Sequence, residues 1–163
     1  MITIGIDPAF RKAAFAVVII DDAREVEGFM FRSFLDFMQW VEKKEWPGQL
    51  IIVGVENSNM QDCTYSMNGT KRAIAKQSRN VGANQAASQY TVDYCRHFFG
   101  RKYVFEISPR QKGKKWSQVQ FQQVAKQEGH TVVGKFNQDK RDAYKIALQA
   151  RKEYGFRAAN IAR

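Results

Sequence analysis

Four acidic residues, Asp7, Glu56, Asp139 and Asp142, have the types and the spacing of a metal site for phosphodiester cleavage. Asp7 and Glu56 each directly follow an apolar run that is typical of a buried strand. Asp139 and Asp142 are three residues apart in the first turn of a predicted helix, so they project from neighbouring positions on one face. Clustered carboxylates repel each other and favour a bound cation. Two hard divalent ions held by such oxygen ligands can activate a water and stabilise a leaving oxygen.

Each acid also has a purely structural explanation. The Asp-Pro pair at Asp7 could be a turn after a strand, and Glu56 could be a solvated strand end. Asp139 and Asp142 suit the N-terminus of a helix, where negative charge meets the helix dipole. The order and the spacing of all four acids together favour the metal-binding hypothesis.

The elements that must position these acids follow from the apolar pattern and its punctuation. An antiparallel meander is predicted first, and strands alternating with helices come after it, which indicates an α/β fold with a mixed sheet. Ligand sites in such sheets usually lie at the carboxyl ends of the strands. The predicted strands cover residues 2–6, 13–20, 26–32, 50–55 and 103–107. The predicted helices cover 34–44, a long stretch after residue 69 that is clearest over 84–98, 116–128 and 139–154.

Charge and composition limit the kind of partner. The chain has 163 residues, 44% of them hydrophobic, and we expect one domain over residues 1–163. Lys and Arg total 26 against 16 Asp and Glu, a net charge of +10 that favours a polyanion, nucleic acid before anionic membrane. Apolar runs are too short to span a bilayer, and two cysteines are too few for a disulfide framework. We therefore expect a cytoplasmic protein, cellular or virus-encoded, with no membrane partner.

Two basic segments are the candidate DNA-binding surfaces. The denser one falls in a predicted loop after the fifth strand, where a lysine could also stabilise charge on the scissile phosphate. The other is a stretch without acidic residues that precedes the predicted 84–98 helix. Solvated charge runs that make only nonspecific phosphate contacts are the alternative for both. The candidates are Arg110, Lys112, Lys114 and Lys115 in the first segment and Lys71, Arg72, Lys76 and Arg79 in the second.

The ordered motifs resemble those of the RuvC-type Holliday-junction resolvase family, within the ribonuclease H-like superfamily. The resemblance runs over roughly residues 2–150, and each motif is short. A glutamate after the fourth strand favours this branch over ribonuclease H itself. The motifs are Gly5-Ile6-Asp7-Pro8, Val55-Glu56-Asn57, Asp139-Lys140-Arg141-Asp142-Ala143, Ser108-Pro109-Arg110-Gln111-Lys112 and Ser117-Gln118-Val119-Gln120.

The resemblance implies a fold, a cofactor and a partner. The implied fold is ribonuclease H-like, a five-stranded mixed sheet with helices on both faces. The implied metal ligands are Asp7, Glu56, Asp139 and Asp142, which would hold two Mg²⁺ ions per active site, with Mn²⁺ as a substitute. The implied activity is that of a homodimer that resolves four-way DNA junctions by paired symmetric nicks.

Departures from the family pattern leave other functions open. Asn59 stands where some members carry an aromatic wedge that opens the junction, so Met60 and Tyr65 become the candidates. The chain could be a related nuclease that acts on flaps, forks or RNA–DNA hybrids, or a noncatalytic nucleic-acid-binding protein. An actin-like ATPase also begins with a strand ending near Gly-Ile-Asp, but the bulk of Pro8-Ala9-Phe10 does not suit its phosphate loop.

Overall fold

The computed structural model describes residues 1–9, 15–46, 48–60 and 70–161. Within these ranges the strands are β1 (Ile2–Asp7), β2 (Phe15–Ile20), β3 (Glu25–Phe31), β4 (Ile51–Glu56), β5 (Val104–Ile107) and β6 (Thr131–Val133). The helices are α1 (Phe34–Lys43), α2 (Lys71–Phe99), α3 (Pro109–Lys112), α4 (Gln118–Gln127) and α5 (Gln138–Ile161), and short 3₁₀ turns cover Ser58–Met60 and Arg101–Tyr103.

The described strands form one mixed sheet in the order β5-β4-β1-β2-β3-β6. β1, β2 and β3 are antiparallel neighbours, whereas β4 pairs parallel to β1 and β5 pairs parallel to β4. This confirms the predicted α/β class and the meander followed by parallel strands. β6, which pairs parallel to β3, is an addition to the five-stranded sheet expected from the sequence. Three residues are too few for the alternation that identifies a strand.

Helices cover both faces of the sheet, as predicted. α1 and α2 pack on one face through Phe37, Val41, Val92 and Cys95, and they enclose a core with residues of β1, β2, β4 and β5. α4 and α5 pack on the other face, where Phe121 is among the buried side chains. No helix in the described ranges is both long enough and apolar enough to cross a bilayer.

Two helices are longer than the parts that the apolar pattern marks most clearly. The sequence predicts a long helical stretch after residue 69, with 84–98 as its clearest part, and α2 begins at Lys71. Thr70 caps this helix, because its side chain accepts a hydrogen bond from the backbone N–H of Ala73. α5 continues to Ile161, past the predicted end at residue 154. Both extensions are mostly exposed, so they carry little of the apolar periodicity from which a helix is predicted.

Two glycines allow α5 to lie directly on the backbone of the sheet. Gly5 of β1 and Gly54 of β4 are partners in the parallel register. A Cβ atom at Gly5 would lie 2.0 Å from the Ala143 carbonyl oxygen and 2.6 Å from the Ala147 nitrogen. A Cβ atom at Gly54 would lie 2.8 Å from the Cβ atom of Ala150. This close approach fixes the first turns of α5 beside the carboxyl ends of β1 and β4.

We expect the substitution Gly5→Ala to lower the free energy of unfolding by about 3 kcal/mol or more, because backbone atoms of α5 must move away. Urea denaturation followed by circular dichroism measures this change. Gly155→Ala, in α5, is the control, since no atom of the described residues beyond its own helix turn lies within 4 Å of an added Cβ there. The control should stabilise the protein by up to about 1 kcal/mol. Equal stability of Gly5→Ala and the wild type would contradict the close packing of α5.

Candidate active site

Three of the predicted acids converge on the ammonium group of Lys112. Asp7 ends β1 and Glu56 ends β4, so the parallel pairing of these strands places both side chains at one edge of the sheet. Asp142 reaches the same point from the start of α5. The Nζ atom of Lys112 lies 3.6 Å from Asp7 Oδ1 and 4.0 Å from Asp142 Oδ2, and it forms an ion pair with Glu56 Oε2. The three carboxylates therefore lie together at the predicted edge of the sheet and share one positive charge.

Asp7 is the acid of this cluster whose ionisation is most affected by its surroundings. Burial raises the pKa of Asp7 well above its usual value, and the charge of Lys112 opposes this effect. The charges of Glu56, Asp142 and Asp139 raise the pKa of Asp7 further. Asp139, in the first turn of α5, therefore acts on the cluster through its charge. Such repulsion makes the cluster a strong attractor of cations.

Lys112 reaches the acids from α3, a short helix where the sequence analysis placed a loop. Ser108 and Gln111 form a capping box: the Gln111 N–H donates to Ser108 Oγ at 3.2 Å, and the Ser108 N–H donates to Gln111 Oε1 at 2.8 Å. Gly113 ends the helix with φ of 72°. The Ser-x-x-Gln spacing is a sequence signal of a helix start that the analysis did not use.

The charge of Lys112 is stabilised where it lies. Burial acts to lower the pKa of this ammonium group, but the charges of Asp7, Glu56 and Asp142 outweigh burial and raise the pKa above its usual value. Lys112 therefore remains a cation among the acids. It neutralises part of their charge.

The side chain of Asp142 is held by its own helix. Gln138 Nε2 donates to Asp142 Oδ1 at 2.9 Å, and this leaves Oδ2 directed toward Lys112. Arg141 holds Gln138 in turn, because its Nη2 atom donates to Gln138 Oε1 at 3.0 Å. Only 3% of Asp142 is exposed, so these contacts hold its carboxylate in one orientation away from water.

Comparison with solved structures identifies the architecture around this site. The structure of T. thermophilus RuvC in complex with a Holliday junction substrate matches with a TM-score of 0.52, over 95% of this chain and 96% of that chain. The chain has the RuvC-like fold. Sequence identity over the match is 13%, a level at which the likeness shows the fold alone. No protein-family model matches the sequence, and no curated protein sequence is significantly similar to it.

In this RuvC-like fold, a partly buried polar network fixes the turn that follows Glu56. Asn57 donates through Nδ2 to Glu106 Oε2, and Arg96 pairs with the other oxygen of Glu106. Asn57 Oδ1 accepts hydrogen bonds from the backbone N–H and the Nδ2 atom of Asn59, both at 3.0 Å. The end of β4 is therefore tied to β5 and to α2, which restrains the position of Glu56.

The donor set of the cluster suits a hard divalent cation. Within the described ranges, no three His, Cys, Asp or Glu side chains lie close enough, as placed, to hold a metal ion. The carboxylates of Asp7, Glu56 and Asp142 nevertheless share one cation already, the Lys112 ammonium group. Oxygen ligands of this kind are those that Mg²⁺ and Mn²⁺ prefer. A divalent ion would replace Lys112 as the centre of this group.

The predicted DNA-binding residues separate into two surfaces and one interior lysine. Lys112 lies among the acids, whereas the other predicted residues are exposed. In α2, Arg72, Lys76 and Arg79 follow the spacing of one helix face. We define the loop surface as Arg110, Lys114 and Lys115, and the helix surface as Lys71, Arg72, Lys76 and Arg79.

The residues considered for a junction wedge differ in how exposed their side chains are and in whether the structure describes them. Asn59 is held in place by Asn57 and donates through Nδ2 to the Gln85 carbonyl at 3.0 Å. Met60 follows it with 48% of its surface exposed. Tyr65 lies outside the described residues, as does Cys63. Met60 is therefore the described candidate with a side chain available to contact DNA.

Several residues that support the site were not predicted from the sequence. Gln138, Arg141 and Asn57 lie within or beside the quoted motifs, but no role was predicted for their side chains. Lys145 was also missed, although a lysine between Tyr144 and Ile146 interrupts an apolar stretch of α5. That interruption was the available signal, because a buried cation in an apolar stretch needs a specific partner.

Proposed function

We propose that the chain is a metal-dependent DNA endonuclease that resolves four-way junctions by paired symmetric nicks. The observation that carries the proposal is the convergence of Asp7, Glu56 and Asp142 on one cationic point. The RuvC-like fold supports it, since the matched RuvC structure contains a Holliday junction substrate. The net charge of +10 adds the affinity for a polyanion that this substrate requires.

We assign Asp7, Glu56, Asp139 and Asp142 as the ligands of two Mg²⁺ ions, with Mn²⁺ as a substitute. Bound there, the ions supply activation of a water and charge stabilisation at the leaving 3′ oxygen. Gln138 holds the Asp142 carboxylate so that Oδ2 faces the Lys112 ammonium group, beside the other acids, and can bind a metal ion. The network around Asn57 does the same for the strand end that carries Glu56.

Lys112 has a second role once DNA is bound. Its ammonium group lies beside the acids, where a scissile phosphate must also lie if those acids direct the cleavage. A fixed positive charge in such a buried site stabilises the negative charge that develops on the phosphate in the transition state. Lys112 would therefore exchange acidic partners for the phosphate.

The two basic surfaces bind the DNA arms through phosphates. The loop surface lies next to Lys112 and would contact the strand that is cut. The helix surface is carried by the exposed N-terminal half of α2 and would contact a neighbouring arm. Phosphate contacts of this type make affinity depend strongly on salt. Paired symmetric nicks need two active sites, so we propose that the protein acts as a homodimer.

Cleavage of a four-way junction with each strand end-labelled tests this function. With Mg²⁺ or Mn²⁺ we expect two nicks at symmetric positions, and slower cutting of flap, fork, duplex and RNA–DNA hybrid substrates. Faster cutting of a flap, a fork or a hybrid would identify a different ribonuclease H-like nuclease. Binding of the junction without any nicking would indicate a noncatalytic nucleic-acid-binding protein. Sedimentation with the junction tests the dimer.

A further inference from the structure

A buried lysine of α5 holds the loop that follows Lys112. Only 6% of Lys145 is exposed, and its Nζ atom donates to the carbonyl oxygens of Gly113, at 3.4 Å, and of Lys114. The same atom lies 4.9 Å from the centre of the Trp116 ring. One turn earlier on α5, Arg141 Nε donates to the Trp116 carbonyl at 3.2 Å. The backbone of residues 113–116 is therefore bound to α5 through three carbonyls, those of Gly113, Lys114 and Trp116.

The chemistry of these contacts is unusual for a buried ammonium group. Desolvation by burial lowers the pKa of Lys145, and the nearby charge of Lys112 adds to that effect, whereas Asp142 opposes it. The hydrogen-bond acceptors are neutral carbonyls and not carboxylates. An apolar side chain of similar volume would fill the same space without this desolvation cost. The hydrogen bonds that Lys145 donates to the loop are therefore what distinguishes it from such a side chain.

Apart from Lys145, Gly113 is held to α3 by a hydrogen bond from its N–H to the Pro109 carbonyl oxygen, at 3.1 Å. Gly113 has φ of 72°, in the left-handed region where glycine is the most freely adaptable residue. Among the residues that the structure describes, none except the chain neighbours lies within 4 Å of a Cβ atom built on Gly113, so no described side chain packs against that side of the glycine. Lys112 directly precedes this glycine. Any freedom of the Gly113 backbone would therefore be transmitted to Lys112.

We propose that Lys145 is a positioning residue that fixes residues 113–116, so that Lys112 stays at the acids and the loop lysines face the DNA. This inference rests on the proposed function for the role of the loop toward DNA. Lys145 binds backbone carbonyls of the loop, so the side chains of Lys114 and Lys115 remain exposed and can contact phosphates. It also places additional positive charge behind a loop that is already cationic, which strengthens the attraction for an anionic partner.

The test compares Lys145→Met and Lys145→Gln with Lys152→Met, an exposed lysine of the same helix, as the control. The first readout is trypsin cleavage after Lys114 and Lys115, which needs neither metal nor DNA. We expect Lys145→Met to be cut about tenfold faster, because release of the loop exposes its backbone. Lys145→Gln keeps one donor and should be intermediate, and the control should match the wild type. Unchanged cutting in Lys145→Met would overturn the proposal.

The second readout separates positioning from a merely structural role. By single-turnover kinetics, Lys145→Met should cleave the junction about 10- to 100-fold more slowly. It should add little further loss in a Lys112→Gln background, since both changes remove the same group from the site. Losses that multiply would overturn the proposal. If Lys145→Met does not fold, Lys145→Gln in both backgrounds gives the same comparison. A wild type that cuts no DNA contradicts the proposed function alone, because the trypsin result still decides the role of Lys145.

Discussion

Asp142→Asn is expected to lower the rate of junction cleavage by about a thousandfold or more, while binding of the junction in Ca²⁺ is retained. The asparagine keeps the shape of the side chain but removes its charge. If its carbonyl oxygen accepts from Gln138, as Asp142 Oδ1 does, its amide nitrogen must face the Lys112 ammonium group. The site would then lose a metal ligand, and a loss of about 4 kcal/mol of transition-state stabilisation corresponds to this factor.

Single-turnover cleavage with end-labelled strands measures the rate, and a gel shift in Ca²⁺ measures binding. Asp93→Asn is the matched control, because Asp93 is an exposed acid of α2 that accepts a hydrogen bond from Gln89 within its own helix. The control should cleave within about twofold of the wild type, as expected for a surface substitution. Cleavage by Asp142→Asn at the wild-type rate would remove Asp142 from the mechanism.

Lys112→Gln is expected to change metal affinity and cleavage in opposite directions. In the absence of DNA, Mn²⁺ should bind about tenfold more tightly, since a positive charge about 4 Å from two carboxylates opposes the ion by about 1 kcal/mol or more. Cleavage should fall about a hundredfold, because the charge that stabilises the scissile phosphate is lost. Electron paramagnetic resonance of free Mn²⁺ measures the first change, and single-turnover kinetics measure the second.

Lys114→Gln is the control for this pair of effects, because Lys114 is an exposed lysine only two residues after Lys112, in the loop that follows α3. It should leave Mn²⁺ affinity unchanged and should reduce junction affinity and its dependence on salt. A Lys112→Gln variant with wild-type Mn²⁺ affinity would show that this lysine does not compete with the ion. Tighter Mn²⁺ binding with unchanged cleavage would leave the competition standing but exclude a role at the phosphate.

The acidic half of the site was predictable because its positions follow from simple rules. An acid directly after an apolar strand must lie at the carboxyl end of that strand, and parallel neighbours bring Asp7 and Glu56 together. The acids of α5 needed one further assumption, the docking of that helix at the same edge. Gly5 and Gly54, which permit the docking, were visible in the sequence, but their shared register was not.

The basic half of the site was less predictable because it depends on tertiary contacts. A count of charges places Lys112 with Lys114 and Lys115, yet only Lys112 turns toward the acids. The capping box of α3 is local and could have been used. The destination of Lys145 could not, because its partners are carbonyls of a segment about thirty residues earlier in the chain. Every residue has a backbone carbonyl, so the amino-acid sequence does not show which carbonyl accepts a hydrogen bond from a distant lysine.

The contact of α5 with Gly5 and Gly54 has a consequence for how far these elements can move relative to each other. Elsewhere in the core, layers of side chains separate helix from sheet and can absorb a displacement by changing rotamers. At these two positions backbone atoms and small side chains of α5 lie directly on the sheet backbone, so van der Waals contact sets the distance between helix and strands. The ends of β1, β4 and α5 that carry the acids are therefore held at a fixed spacing. An added side-chain carbon at either glycine would displace α5, and with it Asp142, from the strands that carry Asp7 and Glu56.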